Sequence, residues 1–174
     1  MKRSIMIWSS CIAVLIVFSC YIIPFGSFRY ANRWKYTVEN FDEYKADFEI
    51  TANFCRDYFE NKRPDQQYPN DWIYYGSYNR EKFLSYNGTR LDISSDLQDA
   101  INRINQAFAD KDSNLAVIRY DTEGVAFEIE NGRYSLVYSF YDKKPVFIKS
   151  ADGNYDILIR KIENHWYHTV IEPN

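Results

Sequence analysis

The side chains of this chain that could do chemistry are few and scattered. Its two histidines, His165 and His168, stand three apart in a stretch that reads as strand. Side chains alternate along a strand, so the two rings point to opposite faces and cannot share a metal ion or a proton. They read as two partly exposed strand histidines. Of the three cysteines, Cys11 and Cys20 lie in an apolar N-terminal run, and Cys55 stands alone in the rest, which excludes an internal disulfide there. Cys55 falls on the apolar stripe of a predicted helix, the place of a small buried hydrophobe rather than a nucleophile.

Oxygen-bearing side chains give turns before they give sites. Asp110-Lys111-Asp112-Ser113-Asn114 has the spacing that opens a calcium-binding EF-hand loop, with Asp121 at the twelfth position. Leu115 sits where that loop needs glycine, so a polar turn between helix and strand suffices. Asp152-Gly153-Asn154 is a hairpin turn by the same reasoning. Glu128 and Glu130, and Asp42, Glu43, Asp47 and Glu49, have the spacings of solvated faces. No phosphate-binding glycine loop, nucleophile elbow, paired-cysteine motif or zincin helix is present. No catalytic residue, metal or cofactor is therefore expected.

The elements that would carry these residues follow from periodicity. Asn40 is a plausible N-cap with Glu43 at N3. Phe41, Tyr44, Phe48, Cys55, Tyr58 and Phe59 then repeat at helical spacing to Glu60. Pro64 and Pro69, among polar residues 61–71, end that helix in a loop. Trp72-Ile73-Tyr74-Tyr75 reads as extended. Lys82–Tyr86 and Thr89–Leu91 flank Asn87-Gly88 as strands flank a type I′ turn; this pair also begins a glycosylation sequon, a reading the turn makes unnecessary. Ser95 to Gln98 forms a capping box, after which Leu97, Ile101, Ile104 and Phe108 mark one face of a second helix running to Asp110.

From Asn114 the pattern changes to period two: Leu115–Tyr120, Val125–Glu130, Arg133–Tyr141, Val146–Lys149, Tyr155–Ile162 and His165–Ile171. This predicts an antiparallel meander of five or six strands. Val125, Phe127, Ile129, Tyr134, Leu136, Tyr138 and Phe140 should receive the helices, with Glu128 and Glu130 in water. The expected fold is α+β, two amphipathic helices on a meander, and in outline it resembles cystatin-like and NTF2-like folds. In the last hairpin both faces are apolar, so either the chain covers the second face or that face binds a partner. Trp166 and Tyr167 are the candidate binding anchors; as strand neighbours, only one of them can point outward.

Before these elements, Lys2 and Arg3 precede 25 uncharged residues, Ser4 to Phe28. As a helix the stretch Ser4–Phe25 would be about 33 Å long, enough for a hydrocarbon core of about 30 Å. Phe28, Tyr30, Trp34 and Tyr36, interleaved with Arg29, Arg33 and Lys35, form an interfacial collar. Residues 1–28 are thus expected to be a membrane anchor, 29–39 a juxtamembrane linker and 40–174 a single domain outside the cytoplasm. Apolar Tyr21-Ile22-Ile23 runs past the point where a cleaved signal would end. Val17-Phe18-Ser19-Cys20 resembles the lipobox of bacterial lipoproteins, which makes Cys20 an alternative site of lipid attachment. Phe18 is bulkier than that motif usually carries.

Charge narrows the partners. Lys and Arg number 21 against 24 Asp and Glu; setting aside Lys2, Arg3, Arg29, Arg33 and Lys35 leaves 16 against 24, a domain near −8. Phosphate backbones and anionic lipid heads would repel it, so nucleic acid is not an expected partner. With 46% hydrophobic and 18% aromatic residues, the soluble part can pack a core of its own. The expected function is a noncatalytic protein- or peptide-binding module of the cell envelope. The alternative is an envelope hydrolase using carboxylates gathered by the fold, recognisable by a concave pocket holding two carboxylates, or Glu plus His.

Overall fold

The structure, a computed structural model, describes residues 34–62, 71–78, 81–109, 113–129, 132–147 and 155–173. The apolar run with Cys11 and Cys20, the prolines of the 61–71 loop, Asp110–Asp112, Glu130 and Asp152-Gly153-Asn154 lie outside them. Among the described residues no helix is long and apolar enough to cross a membrane.

Helix α1 spans Phe41–Lys62. It opens with the Glu43 N–H donating to the Asn40 carbonyl at 2.9 Å and buries Phe41, Phe48, Cys55 and Phe59 of the predicted stripe together with Ala52, while Tyr44 and Tyr58 are only partly buried. Helix α2 spans Ser95–Ala109 and buries Leu97, Ala100, Ile101, Ile104, Ala107 and Phe108. Its cap is Ser94, one residue before the expected Ser95. The Ser94 hydroxyl accepts the Leu97 N–H at 3.3 Å, and its carbonyl accepts the Gln98 N–H at 3.0 Å, as an N-cap's own carbonyl does.

The strands are β1 (Asp71–Tyr78), β2 (Glu81–Tyr86), β3 (Thr89–Arg90), β4 (Leu115–Asp121), β5 (Gly124–Ile129), β6 (Tyr134–Ser139), β7 (Tyr155–Glu163) and β8 (Trp166–Pro173). The turn between β2 and β3 has φ of +49° at Asn87 and +76° at Gly88, the paired left-handed residues of a type I′ turn. All eight strands form one antiparallel sheet in the order β3-β2-β1-β4-β5-β6-β8-β7.

The α+β class is as expected; the strand count and the simple meander are not. β1 pairs with β4 across the whole of α2, and β8 inserts between β6 and β7. Period-two patterning shows that a segment is a strand, not which strand lies beside it. Of the expected strand Val146–Lys149, Val146 and Phe147 are irregular. Phe147 instead folds against the sheet with Ala126, Val137 and Tyr167.

Directly paired residues share a face. Ile73, Ile118, Phe127, Leu136 and His168 are successive partners across the sheet, and this is the face the helices cover. The Phe48 ring lies 4.9 Å from Phe127 and 5.9 Å from Trp166, both edge-on. The Phe59 ring stacks on Tyr120 at 4.9 Å. Asp47 of α1 is 4% exposed and accepts two bonds from the Arg103 guanidinium of α2, at 2.9 and 2.5 Å. Asp47 is therefore not on a solvated face: it joins the two helices.

Glu128 is a second correction. It points away from the helices, as expected, but is 8% exposed rather than in water. The Arg119 guanidinium approaches its carboxylate to 2.5 Å and also lies 4.3 Å from the centre of the Trp72 ring. Burial outweighs Arg119 and raises the Glu128 carboxyl above its usual range.

Candidate functional site

Polar groups converge where α1 meets the turn between β7 and β8. A hollow of about 470 Å³ opens there, walled by Lys45 and Glu49 of α1, Tyr138 of β6, Glu163 of β7, His165 of the turn and Trp166 of β8. Lys45 and Glu49, one helical turn apart, project from one side of α1. The Lys45 ammonium pairs with Glu163, and that bond raises the Lys45 pKa.

His165 is held tightly and in an unusual conformation. Its φ is +69°, a left-handed backbone in which a residue with a Cβ is strained unless neighbours hold it. Three bonds do so. The His165 N–H donates to Asp142 Oδ1 at 2.7 Å, the Ser139 N–H donates to the His165 carbonyl at 2.7 Å, and His165 Nδ1 lies 2.7 Å from the Ser139 carbonyl oxygen. A carbonyl only accepts, so Nδ1 carries a proton and Nε2 is the ring nitrogen left for other partners. Asp142 also binds Lys161 at 2.9 Å. The His165 N–H first, and Lys161 second, hold its carboxyl below the usual carboxylate range.

Trp166 is 1% exposed, and its indole N–H finds no acceptor among the described residues. Buried N–H groups are normally paired, but this one is closed to solvent and is not a donor open to the hollow. The hollow is thus lined by the His165 ring, a carboxylate at Glu49 and a charge-neutral pair at Lys45 and Glu163.

The sequence singles out Trp166, Tyr167, His165 and His168, and the structure separates them. Trp166 and Tyr167 do face opposite ways, but both are buried, at 1% and 5% exposure. Trp166 packs among Phe41, Phe48 and Tyr138, and Tyr167 lies with Ala126, Val137 and Phe147. Neither side chain is exposed, and of the two Trp166 borders the hollow. Of the two histidines read as partly exposed strand residues, His165 is partly exposed but not in a strand, and His168 is in a strand but buried. His165 lies in the turn, and His168 is 2% exposed, its Nδ1 bonded to the Tyr134 hydroxyl. Burial first, and the Arg160 charge second, lower the His168 pKa to about 3. Burial raises the Tyr134 hydroxyl and the Cys55 thiol, so Cys55 is a packed core residue.

Lys45, Glu49, Glu163 and Asp142 escape sequence reasoning because they meet only through the fold. Asn164-His165, a polar pair between two apolar strands, is the local signal that could have marked the turn.

A larger hollow of about 820 Å³ lies between Lys82, Phe83, Arg90 and the start of α2. Ser94 there is spent on the helix cap, and Lys82 and Arg90 lie over the Tyr75 and Phe83 rings. Among the described residues, no three His, Cys, Asp or Glu gather closely enough to hold a metal ion. Compared with known proteins, the chain matches no family model, no curated protein and no solved structure.

Proposed function

We propose that this chain is a membrane-tethered, noncatalytic module of the cell envelope that binds a protein or peptide in the hollow between α1 and the β7–β8 turn. The observation that carries this reading is the pairing of Glu163, which lines it, and of Asp142, which holds the His165 main chain. Glu163 is neutralised by Lys45, and Asp142 by Lys161 and the His165 N–H. A carboxylate held by a cation is a poor general base and a good fixed wall. A peptide supplies the complements that such a wall lacks, amides for Glu49 and polar groups for the His165 ring.

The tether rests on the uncharged run after Lys2 and Arg3. It entails that the chain stays with membranes in high salt, because apolar burial and not charge would hold it. Release by salt alone would remove the tether from the proposal. Cys20→Ala separates its two forms, since a spanning helix is indifferent to that change and an acylated anchor is not.

Recognition is tested with the full chain in detergent. Peptides are selected on it from a random displayed library, and one is titrated by fluorescence anisotropy. Glu49→Ala and His165→Gly should each weaken binding about tenfold or more, the scale of one lost hydrogen bond to a charged or well-placed group. Asn102→Asp, on the outer side of α2, should leave binding unchanged. Equal affinity for all three variants would place recognition elsewhere.

One observation favours a second reading, a hydrolase: the same hollow brings Glu49 and Glu163 together with His165. On that reading the chain would cleave envelope glycan or peptide, and Glu163→Gln would abolish product detected by mass spectrometry. On the binding reading no cleavage occurs.

A further inference from the structure

The sheet ends in two unlike edges. β3 has two residues and β7 has nine, and among the described residues β7 pairs on one side only, with β8. A long edge presents a row of main-chain donors and acceptors, and proteins blunt such edges unless something pairs with them. β7 carries the sequence Tyr155-Asp156-Ile157-Leu158-Ile159-Arg160-Lys161, and its register with β8 places the odd-numbered members on one face and the even-numbered on the other. Ile157, Leu158 and Ile159 are each half-buried, and Tyr155 is 38% exposed.

The helix-side face of β7 carries two exposed charges of opposite sign, Asp156 and Arg160, on either side of Leu158.

We propose that β7 pairs antiparallel with β7 of a second copy about a twofold axis at Leu158, joining the two sheets into one. In that register Leu158 faces its own copy, Ile157 faces Ile159, Asp156 faces Arg160 and Tyr155 faces Lys161. Opposite charges thereby face each other across the seam, apolar residues face apolar ones, and Lys161 faces an aromatic ring. Shifting the axis by one residue either way loses the match: centred on Ile159, Leu158 meets Arg160, and centred on Ile157, Asp156 meets Leu158. A twofold needs one self-complementary patch, and this strand is one. Arg160 also donates to Thr37 at 3.3 Å, which a guanidinium with five N–H groups can do while pairing with a carboxylate. The proposal is independent of what the hollow binds.

Charge reversal tests it on the full chain in detergent, with mass read by sedimentation. The native chain should be a dimer. Asp156→Arg and Arg160→Asp should each weaken dimerisation by about tenfold or more, because each puts two like-charge pairs at the interface, and the double variant D156R/R160D should restore it. Oxidation of Leu158→Cys should give a cross-linked dimer, since opposed residues lie about 5 Å apart, whereas Ile157→Cys should cross-link poorly. A native chain that stays monomeric, or a dimer indifferent to the reversals, would overturn the proposal. Both charges are exposed, so unaltered melting of the single variants would show that the loss is one of pairing.

Discussion

On the side of the sheet that meets the helices, burial is almost wholly apolar. Phe48 touches Phe41, Phe108, Phe127 and Trp166, and Ile101 and Ile104 are fully buried behind them. On the other side, part of the sheet lies with Phe147, and another part holds Arg119 between Trp72 and Glu128 with both charged side chains only 11% exposed. The first face gains stability from area removed from water, with little dependence on angle. The second depends on one cation and one anion meeting in a place where either alone would be costly. The two faces should therefore fail differently when disturbed.

The largest effect is expected on the helix side. Ile104→Asp puts an unpaired carboxylate among Leu97, Ile101 and Phe108, at a cost of several kcal/mol against a total stability of about 5–15 kcal/mol, so the domain should not hold its fold at 37 °C. Asn102→Asp, on the exposed side of the same helix, should melt within a few degrees of the native chain. Equal melting of the two would put the wrong face of α2 against the sheet.

On the second face the change to make is a paired one. Arg119→Met or Glu128→Leu alone should cost about 3–5 kcal/mol, because each leaves a buried charge without its partner. The double variant should recover most of that loss, since an apolar pair of similar volume packs in the same place. Denaturant midpoints for the four proteins close the cycle. Additive losses in the double variant would mean that the two charges are not coupled and that the second face is held as the first is.

That difference also explains what the sequence makes legible. The stripe Leu97, Ile101, Ile104 and Phe108 and the alternation Val125, Phe127, Ile129 are readable because apolar burial imposes a period on the chain. Asn87-Gly88 is readable because few residue pairs accept two positive φ values. Glu128 was not readable, because its partner Arg119 is on another strand and a lone glutamate in a strand looks like a solvated one. Asp47 was misread in the same way, its partner Arg103 lying on the other helix. The hollow at His165 belongs with these: its residues come from α1, β6, β7, β8 and a turn, and no spacing along the chain relates them.

The helix side also holds a buried histidine, and pH reaches it. His168 titrates near 6.5 when unfolded and near 3 in place, so between those values the unfolded chain binds the additional proton. Stability is then full above pH 6.5 and falls as pH drops toward 3, by up to about 1.4 kcal/mol per unit. Glu128, with its raised pKa, works in the opposite sense, since its penalty for being charged is relieved as pH falls through its titration. From pH 7 to 5 the histidine should therefore remove about 2 kcal/mol. Urea unfolding at both pH values should find this loss in the native chain and not in His168→Gln. The same loss in both would assign the pH dependence to other groups.

The smallest effect on stability, and the one that isolates the hollow from both faces, is expected at His165. Changing it to glycine removes the bond from Nδ1 to Ser139, worth about 1 kcal/mol, and gives the unfolded chain more freedom. It also removes a Cβ from a backbone at φ +69°, relieving strain of about 1 kcal/mol. The main-chain bonds to Asp142 and Ser139 remain, so these terms should cancel to within about 1 kcal/mol. His165→Ala loses the same ring but keeps the strain, and it should melt below the glycine variant. If alanine equals or exceeds glycine, the positive φ costs nothing, and the turn gives no reason to look for function at its histidine. If glycine matches the native chain in stability while losing affinity for the selected peptide, the ring is held in that conformation for what it contacts outside the fold.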